Sequence, residues 1–228
     1  MLLVLTAPDD VTADVVIAKL RRRGAQVHRF DPADYPSRAS LSLAFGAPGR
    51  RSATLHTSAG RIDLQQLQAL WLRRPGLPVA DARVQDPRWR RYIAAESAAH
   101  LDDVWNTLHC VCFPAAPLVI ARAEMKASQL AAADELGLEI PPTLLTTQPA
   151  DFFDFHRQQA GRVVSKLAGP AFNRHFGPEI GRYSELVSPR DVGYADAVRW
   201  VPSIFQAYVD KQLELRITVV GKRVLCDA

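Results

Sequence analysis

Apolar positions near the start of the chain follow the spacing of a strand, a helix and a strand in turn. Residues 2–6 form a short apolar run, residues 11–20 carry apolar side chains at helical spacing, and residues 26–30 form a second run. Gly24 follows the helical pattern, at the place where glycine commonly ends a helix. A strand, a helix and a strand within about thirty residues make a βαβ unit, which predicts an open α/β sheet with helices.

The pattern predicts further elements around this sheet. Residues 41–45 and 53–57 alternate on either side of a glycine-containing turn, which predicts a hairpin appended to the sheet. Residues 69–72 are typical of a strand, and residues 87–108 of a helix that begins with proline. Pro114 and Pro117 indicate a linker. We therefore expect an α/β domain over residues 1–113 and a second domain over residues 114–228.

The second domain has a mixed α+β pattern. Helices are predicted over residues 123–136 and 151–159, with Asp151 as the N-cap of the second helix. Strands are predicted over residues 143–146, 162–167, 205–209, 214–220 and 224–226, and the last two are joined across Gly221.

The composition is that of an ordinary globular protein. Of the 228 residues, 48% are hydrophobic and 23% are charged. The apolar runs are far shorter than the ~20 residues that span a bilayer, so we expect no membrane partner. Three cysteines, an odd number, suit a reducing cytoplasm, where we expect the protein to be. Cys110, Cys112 and His109 are too close in sequence to surround a zinc ion, and no metal site is predicted from them.

The net charge of +4 raises the question of nucleic-acid binding. The basic residues form short arginine runs, such as residues 21–23, without the interleaved aromatic side chains that single-strand binders use. We therefore expect no nucleic-acid partner, whereas a mildly basic surface suits an acidic nucleotide or peptide. The sequence also lacks a glycine-lysine phosphate loop and a GxGxxG motif after its first strand, which argues against P-loop and Rossmann enzymes.

Four features of the second domain carry candidate chemistry. Lys126 lies in the first turns of the alanine-rich helix, and Lys166 lies among apolar residues of a predicted strand. The strand over residues 205–209 is followed by Asp210, and Arg216 opens the next strand. In this order and spacing the four features resemble the nucleotide site of the ATP-grasp superfamily.

The resemblance implies ATP as the cofactor, bound by the side chains of these features. It implies that Lys126 and Lys166 approach the phosphates and that Arg216 meets the γ-phosphate as a catalytic residue. It implies an adenine and ribose site formed by Gln206, Tyr208, Val209 and Asp210. The stretch over residues 169–181, with Asn173, Arg174 and His175, occupies the place of the loop that closes over the phosphates in this superfamily, and the alternative is a surface loop with scattered polar residues.

A narrower resemblance points to ATP-grasp maturases of ribosomally made peptides, including the microviridin-type ligases. It is carried by Trp71-Leu72-Arg73-Arg74-Pro75 and by the segments 126–130 and 137–146. It implies a pre-ATP-grasp first domain, a partial ATP-grasp fold after it, and a precursor peptide as the partner. It also implies a reaction that joins an activated side-chain carboxylate to a nucleophile of that peptide, and it allows a homodimer. We expect Arg73 and Arg74 to bind the peptide, or else to act as salt links between the two domains.

Two departures from the family pattern bear on function. Ala207 stands where relatives have an acidic residue. The family places its Mg²⁺ ligands after the arginine strand, so we expect them beyond residue 228 and expect the chain to be a fragment that is nearly inert alone. The alternative is a catalytically incomplete module that binds nucleotide or peptide to regulate a partner.

Overall fold

The computed structural model describes residues 1–46, 49–168 and 184–227, and the stretch that includes Asn173, Arg174 and His175 therefore lies outside the described residues. The chain forms two compact units, Met1–Ala123 and Glu124–Ala228. A short helix over residues 117–123 belongs to the first unit. The domain division that we predicted after residue 113 stays a proposal.

The first unit contains seven strands and three α-helices among its described residues. In chain order they are β1 (Leu2–Thr6), α1 (Val11–Arg22), β2 (Val27–Phe30), β3 (Ser40–Phe45), β4 (Arg51–Thr57), β5 (Gly60–Asp63), β6 (Ala69–Arg74), α2 (Pro87–Thr107), β7 (Val111–Phe113) and α3 (Pro117–Ala123). The parallel strands form one sheet in the order β2-β1-β6-β7, and β3-β4-β5 form a second, antiparallel sheet.

The parallel sheet is buried on both faces because β1 alternates its side chains between two clusters. Val4 packs with Ala13 and Ile17 of α1 on one face. Leu3 and Leu5 pack on the other face, in the cluster that holds α2 and the antiparallel sheet. Burial on both faces explains why β1 is an almost uninterrupted apolar run rather than an alternating one.

The predicted α/β class is confirmed, and two details of the first unit differ. The hairpin of β3 and β4 is not appended to the parallel sheet but pairs with β5 in a sheet of its own. Strands β5 and β7 were not predicted, because each has only three or four residues. Strand β7 extends the parallel sheet at its edge, next to β6.

The second unit contains six strands and three α-helices among its described residues. They are α4 (Lys126–Glu135), β8 (Thr143–Thr146), α5 (Pro149–Gln158), β9 (Val163–Leu167), β10 (Glu185–Leu186), α6 (Pro189–Gly193), β11 (Ser203–Ala207), β12 (Arg216–Val220) and β13 (Arg223–Asp227). Four of the strands form an antiparallel sheet in the order β10-β9-β11-β8, and β12 pairs with β13 in a separate hairpin.

One face of the four-stranded sheet, called the covered face, packs against α5, and the opposite face, called the open face, carries half-buried polar side chains beside the buried Ile204. Val163 and Phe205 point to the covered face, where they pack against Phe152 and Phe155 of α5. Side chains alternate along a strand, so Lys166 and Gln206 point to the opposite, open face. The open face is where polar side chains of β8, β9 and β11 meet.

Three predicted boundaries in the second unit are wrong. The helix predicted over residues 123–136 begins three residues later, at Lys126, because the separate helix α3 ends at Ala123. Gln148, not Asp151, occupies the N-cap of α5, and the carboxylate of Asp151 instead accepts a hydrogen bond from Thr146 at 3.1 Å. Strand β11 ends at Ala207, so Tyr208, Val209 and Asp210 follow the strand.

A candidate nucleotide site and a basic sheet edge

Lys166 lies on the open face of the second unit, in a short chain of hydrogen bonds. Its ammonium donates to Oε1 of Gln206 at 2.5 Å. The Gln206 amide nitrogen donates to the hydroxyl of Thr143 at 2.8 Å, and that hydroxyl donates to the backbone oxygen of Pro141 at 2.7 Å. The chain crosses three adjacent strands, because β11 pairs with β9 on one side and with β8 on the other. It brings Lys166 and Gln206, two of the predicted site residues, into direct contact.

The charge of Lys166 is unbalanced within the described residues. Partial burial lowers the pKa of its ammonium, and the positive charges of Lys126 and Lys211 lower that pKa further. Its hydrogen bond goes to a neutral amide rather than to a carboxylate. Lys211 pairs with Glu214 at 3.1 Å, while Lys126 donates only to the Gln129 amide at 3.4 Å. An electropositive cluster of this kind is favourable for a polyanion.

The segment after β11 places the predicted base and ribose residues beside Arg162. Tyr208 donates its backbone N–H to the Arg162 carbonyl at 2.9 Å, and the Arg162 guanidinium lies 5.1 Å from the Tyr208 ring centre. The same guanidinium pairs with Oδ2 of Asp210 at 2.5 Å. Val209 is exposed. The backbone bond and the cation–ring contact hold this segment against the start of β9.

Arg216 is not joined to this cluster by any hydrogen bond or ion pair in the described part of the chain. It is the first residue of β12, and it lies opposite Asp227 in the β12–β13 register. The strand is exposed along its whole length, and it belongs to a different sheet from Lys166.

Arg73 and Arg74 lie at the carboxyl end of β6, and the structure gives them different surroundings. Arg73 forms an ion pair with Asp10, whose side chain is only 6% exposed, with 3.2 Å between Nε and Oδ2. Asp10 also accepts hydrogen bonds from the Thr6 hydroxyl at 2.8 Å and from the Ala13 backbone at 3.1 Å, and it caps α1. Arg74 is exposed, and no ion pair or hydrogen bond holds its guanidinium among residues 1–46, 49–168 and 184–227.

Asp10 therefore stays ionised at the sheet edge. Burial raises the pKa of its carboxyl, but the hydrogen bonds from Thr6 and Ala13 and the charges of Arg73 and Arg74 together outweigh burial, so the net pKa is lowered. Arg73 is thus neutralised by an acid within its own unit, whereas Arg74 is available to a ligand.

This edge of the sheet is where open α/β sheets commonly bind ligands. In the strand order β2-β1-β6-β7, the chain proceeds from β1 toward one side and from β6 toward the other. The carboxyl ends of strands at such a reversal form a crevice. Arg73 and Arg74 stand at the end of β6, and Asp10 lies in the loop after β1.

The described residues do not fit a metal ion or a membrane span. No group of three or more His, Cys, Asp or Glu side chains within residues 1–46, 49–168 and 184–227 is arranged to hold a metal. No helix in that part of the chain is long and apolar enough to cross a bilayer. The magnesium ligands predicted by the family resemblance have no counterpart among these residues, and no chemical step is assigned to a metal here.

A comparison with known protein families shows which family the chain belongs to. A model of the MvdD pre-ATP-grasp domain matches residues 1–117, which is more than half of the sequence. The chain belongs to this ATP-grasp family. A comparison with curated proteins gives no match.

Solved structures extend the likeness over the whole chain. The macrocyclase MdnB from Microcystis aeruginosa is 32% identical with a TM-score of 0.80, and the match covers 99% of this chain and 73% of MdnB. The macrocyclase MdnC, solved with the precursor peptide MdnA, is 25% identical with a TM-score of 0.84, and the match covers 99% of this chain and 70% of MdnC. A Chryseobacterium gregarium ATP-grasp ligase, solved with ADP and a leader and core peptide, is 26% identical with a TM-score of 0.80, over 99% of this chain and 67% of that ligase. The predicted resemblance to peptide maturases is thereby confirmed.

Three residues of these sites were not found from the sequence. Thr143 lies in the segment 137–146 that carries the family resemblance, Arg162 precedes a strand, and Asp10 follows one, but the resemblance assigns a role to none of the three. A signal existed only for Asp10, because an aspartate directly before a helical pattern is a typical N-cap.

Proposed function

We propose that this ATP-grasp protein is an ATP-binding peptide maturase that activates a side-chain carboxylate and joins it to a nucleophile of a precursor peptide. Its solved relatives include macrocyclases and a ligase of ribosomally made peptides, two of them solved with peptide. The proposal assigns the same class of substrate to this chain.

One observation carries the nucleotide part of the proposal, namely the unbalanced charge of Lys166. The lysine faces an amide oxygen, has a lowered pKa, and has Lys126 and Lys211 nearby. Lys166 is half-buried, and no carboxylate of the described residues pairs with it, so binding of an anion would offset the cost of its partial desolvation. A triphosphate would supply that anion, with Lys126 and Lys166 on its phosphates.

The proposed chemistry is phosphoryl transfer to a carboxylate followed by acyl transfer to the peptide. An oxygen of the substrate carboxylate attacks the γ-phosphorus of ATP, the bond to the β-phosphate oxygen breaks, and ADP leaves with its electron pair. The nucleophile of the peptide attacks the acyl phosphate carbon, loses its proton, and releases inorganic phosphate. Fixed cations such as Lys166 stabilise the charge that moves during phosphoryl transfer. Arg216 has the same proposed role at the γ-phosphate.

The base and ribose site is proposed on the segment after β11. Gln206, Tyr208 and Val209 would surround the adenine, and Asp210 would accept from the ribose. Arg162 engages only Oδ2 of Asp210, and Oδ1 has no hydrogen bond with any described residue, which leaves one oxygen for a ribose hydroxyl.

The peptide site is proposed on the sheet edge of the first unit. Arg74 offers an exposed guanidinium that is unpaired among the described residues, and this group can bind a carboxylate or phosphate through two parallel hydrogen bonds. Arg73 would stabilise this edge of the sheet through its ion pair with Asp10. We therefore assign peptide binding mainly to Arg74.

The experiment is calorimetric titration of the full chain with ATP. A charge-assisted contact is worth about 1.5–3 kcal/mol, so Lys166→Ala should weaken binding by roughly ten- to a hundredfold. The matched control is Lys19→Ala, which removes an exposed lysine from α1 and should leave ATP affinity unchanged. Equal ATP affinity for the wild type and Lys166→Ala would remove Lys166 from the site, and no ATP binding by the wild type would refute the proposed function.

A further inference from the structure

Gln206 can face the base of a nucleotide in two ways, because its side-chain amide presents an oxygen in one orientation and a nitrogen in the other. The two atoms recognise opposite hydrogen-bonding groups, because one is an acceptor and the other a donor. The amide oxygen accepts from the 6-amino group of adenine, whereas the amide nitrogen donates to the 6-oxygen of hypoxanthine or guanine. Whatever fixes the orientation of this amide therefore fixes which purine is preferred.

The neighbours of Gln206 fix that orientation from both ends. Lys166 carries only N–H donors, so the atom that faces it at 2.5 Å must be the amide oxygen. At the other end, the Thr143 hydroxyl lies 2.7 Å from the Pro141 carbonyl, which can only accept. The hydroxyl must donate its proton there, so it offers a lone pair to Gln206, and the atom that faces it at 2.8 Å must be the amide nitrogen.

The two constraints are independent and agree. Thr143 and Gln206 are direct partners across β8 and β11, so the contact is part of the strand register rather than of a loop. The amide nitrogen is thereby engaged by Thr143, and the oxygen keeps one lone pair after binding Lys166. That lone pair is the acceptor that a 6-amino group requires.

We infer that Thr143 is a positioning residue that, together with Lys166, gives the proposed nucleotide site its preference for adenine. The inference rests on the proposed function, since it concerns the same ATP site. Thr143 acts through Gln206, by fixing the amide so that its oxygen is presented next to Lys166.

The test compares ATP with inosine triphosphate, which carries an oxygen where adenine carries its 6-amino group. Affinities of both nucleotides are measured by calorimetry for the wild type, Thr143→Val and Thr143→Ser. Valine keeps the shape and removes the hydroxyl, so ATP should bind roughly three- to tenfold more weakly while the inosine nucleotide is unaffected. The ratio of the two affinities should fall by the same factor, and serine should restore it.

A matched control separates this role from general loosening of the strand. Thr146 lies on the same strand, and its hydroxyl bonds to Asp151 and to the Gln148 backbone rather than to Gln206. Thr146→Val should lower the melting temperature without changing the ATP to inosine triphosphate ratio. An unchanged ratio in Thr143→Val, with ATP still bound by the wild type, would overturn the inference and leave the proposed function standing. A wild type that binds neither nucleotide would overturn the proposed function itself.

Discussion

Replacement of Arg73 and Arg74 one at a time separates the two roles that the sequence left together. The Asp10–Arg73 ion pair is well shielded, since the side chains are 6% and 24% exposed. Removing one partner of a buried pair costs about 3–5 kcal/mol, because the other charge is left without compensation. Asp10 would keep its bonds from Thr6 and Ala13, and Arg73 is partly solvated, so we expect about 2 kcal/mol for Arg73→Ala.

That loss is large enough to measure as a melting shift. A unit of about this size loses about 3–6 °C per kcal/mol, so Arg73→Ala should melt roughly 6–12 °C below the wild type. Arg74→Ala should stay within about 0.5 kcal/mol, because its side chain is exposed and unpaired among the described residues. Tryptophan fluorescence is a suitable probe, since Trp71, Trp89 and Trp105 all lie in the first unit.

Binding of an acidic precursor peptide completes the assay. Arg74→Ala should weaken peptide binding and keep a melting temperature near that of the wild type. Arg73→Ala should lower the melting temperature and keep the peptide affinity, when binding is measured well below its melting point. If Arg73→Ala has the same melting temperature as the wild type, the ion pair contributes nothing to stability and the reasoning from burial is wrong. If Arg74→Ala binds the peptide as well as the wild type does, the docking proposal fails.

Two further outcomes are expected from the first unit. The folded-state pKa of Asp10 is lowered, so its ionised form stabilises the fold above the unfolded pKa near 4 and that contribution is lost as pH falls. Asparagine caps a helix about as well but does not titrate. The gap in unfolding free energy between the wild type and Asp10→Asn should therefore shrink between about pH 6 and about pH 3 in urea titrations, and a constant gap would contradict the assignment. Gly76→Ala should lower the melting temperature, because a Cβ there would lie 2.6 Å from Oδ1 of Asp31, whereas Gly193→Ala, with nothing within 4 Å, should not.

The fold of the first unit was largely predictable because its central strand β1 is buried on both faces. Continuous burial makes β1 an apolar run that needs no partner to be recognised, and Gly24 marks the end of α1 at a φ of 78°. Strand β7 was not predicted because it has only three residues and the first of them, Val111, is exposed, so no alternating pattern of buried and exposed positions can be recognised. Its pairing with β6 depends on a neighbour that is about forty residues away, and sequence spacing does not reveal such pairing.

The candidate site could be predicted only where the type of a residue and its position in the pattern indicated a role. Lys166 did so, because a lysine among apolar residues of a strand requires a partner. The end of β11 was predicted two residues late, because Tyr208 and Val209 continue the apolar pattern. Strand β11 stops at Ala207 because its partner there, Val163, is the first residue of β9. The Arg162–Asp210 and Thr143–Gln206 contacts join residues 48 and 63 positions apart, so folding alone creates them.

The unlike faces of the second unit's sheet determine which changes of length β9 can accept. Deleting one residue within the strand would carry Lys166 from the open face into the space occupied by Phe152 and Phe205, and would bring an apolar neighbour outward. Deleting two residues would restore every side chain to its proper face and shorten the strand instead. In a library of insertions and deletions, odd-numbered changes in β9 should therefore be depleted more strongly than even-numbered ones, a parity pattern that ordinary substitution scans would not reveal.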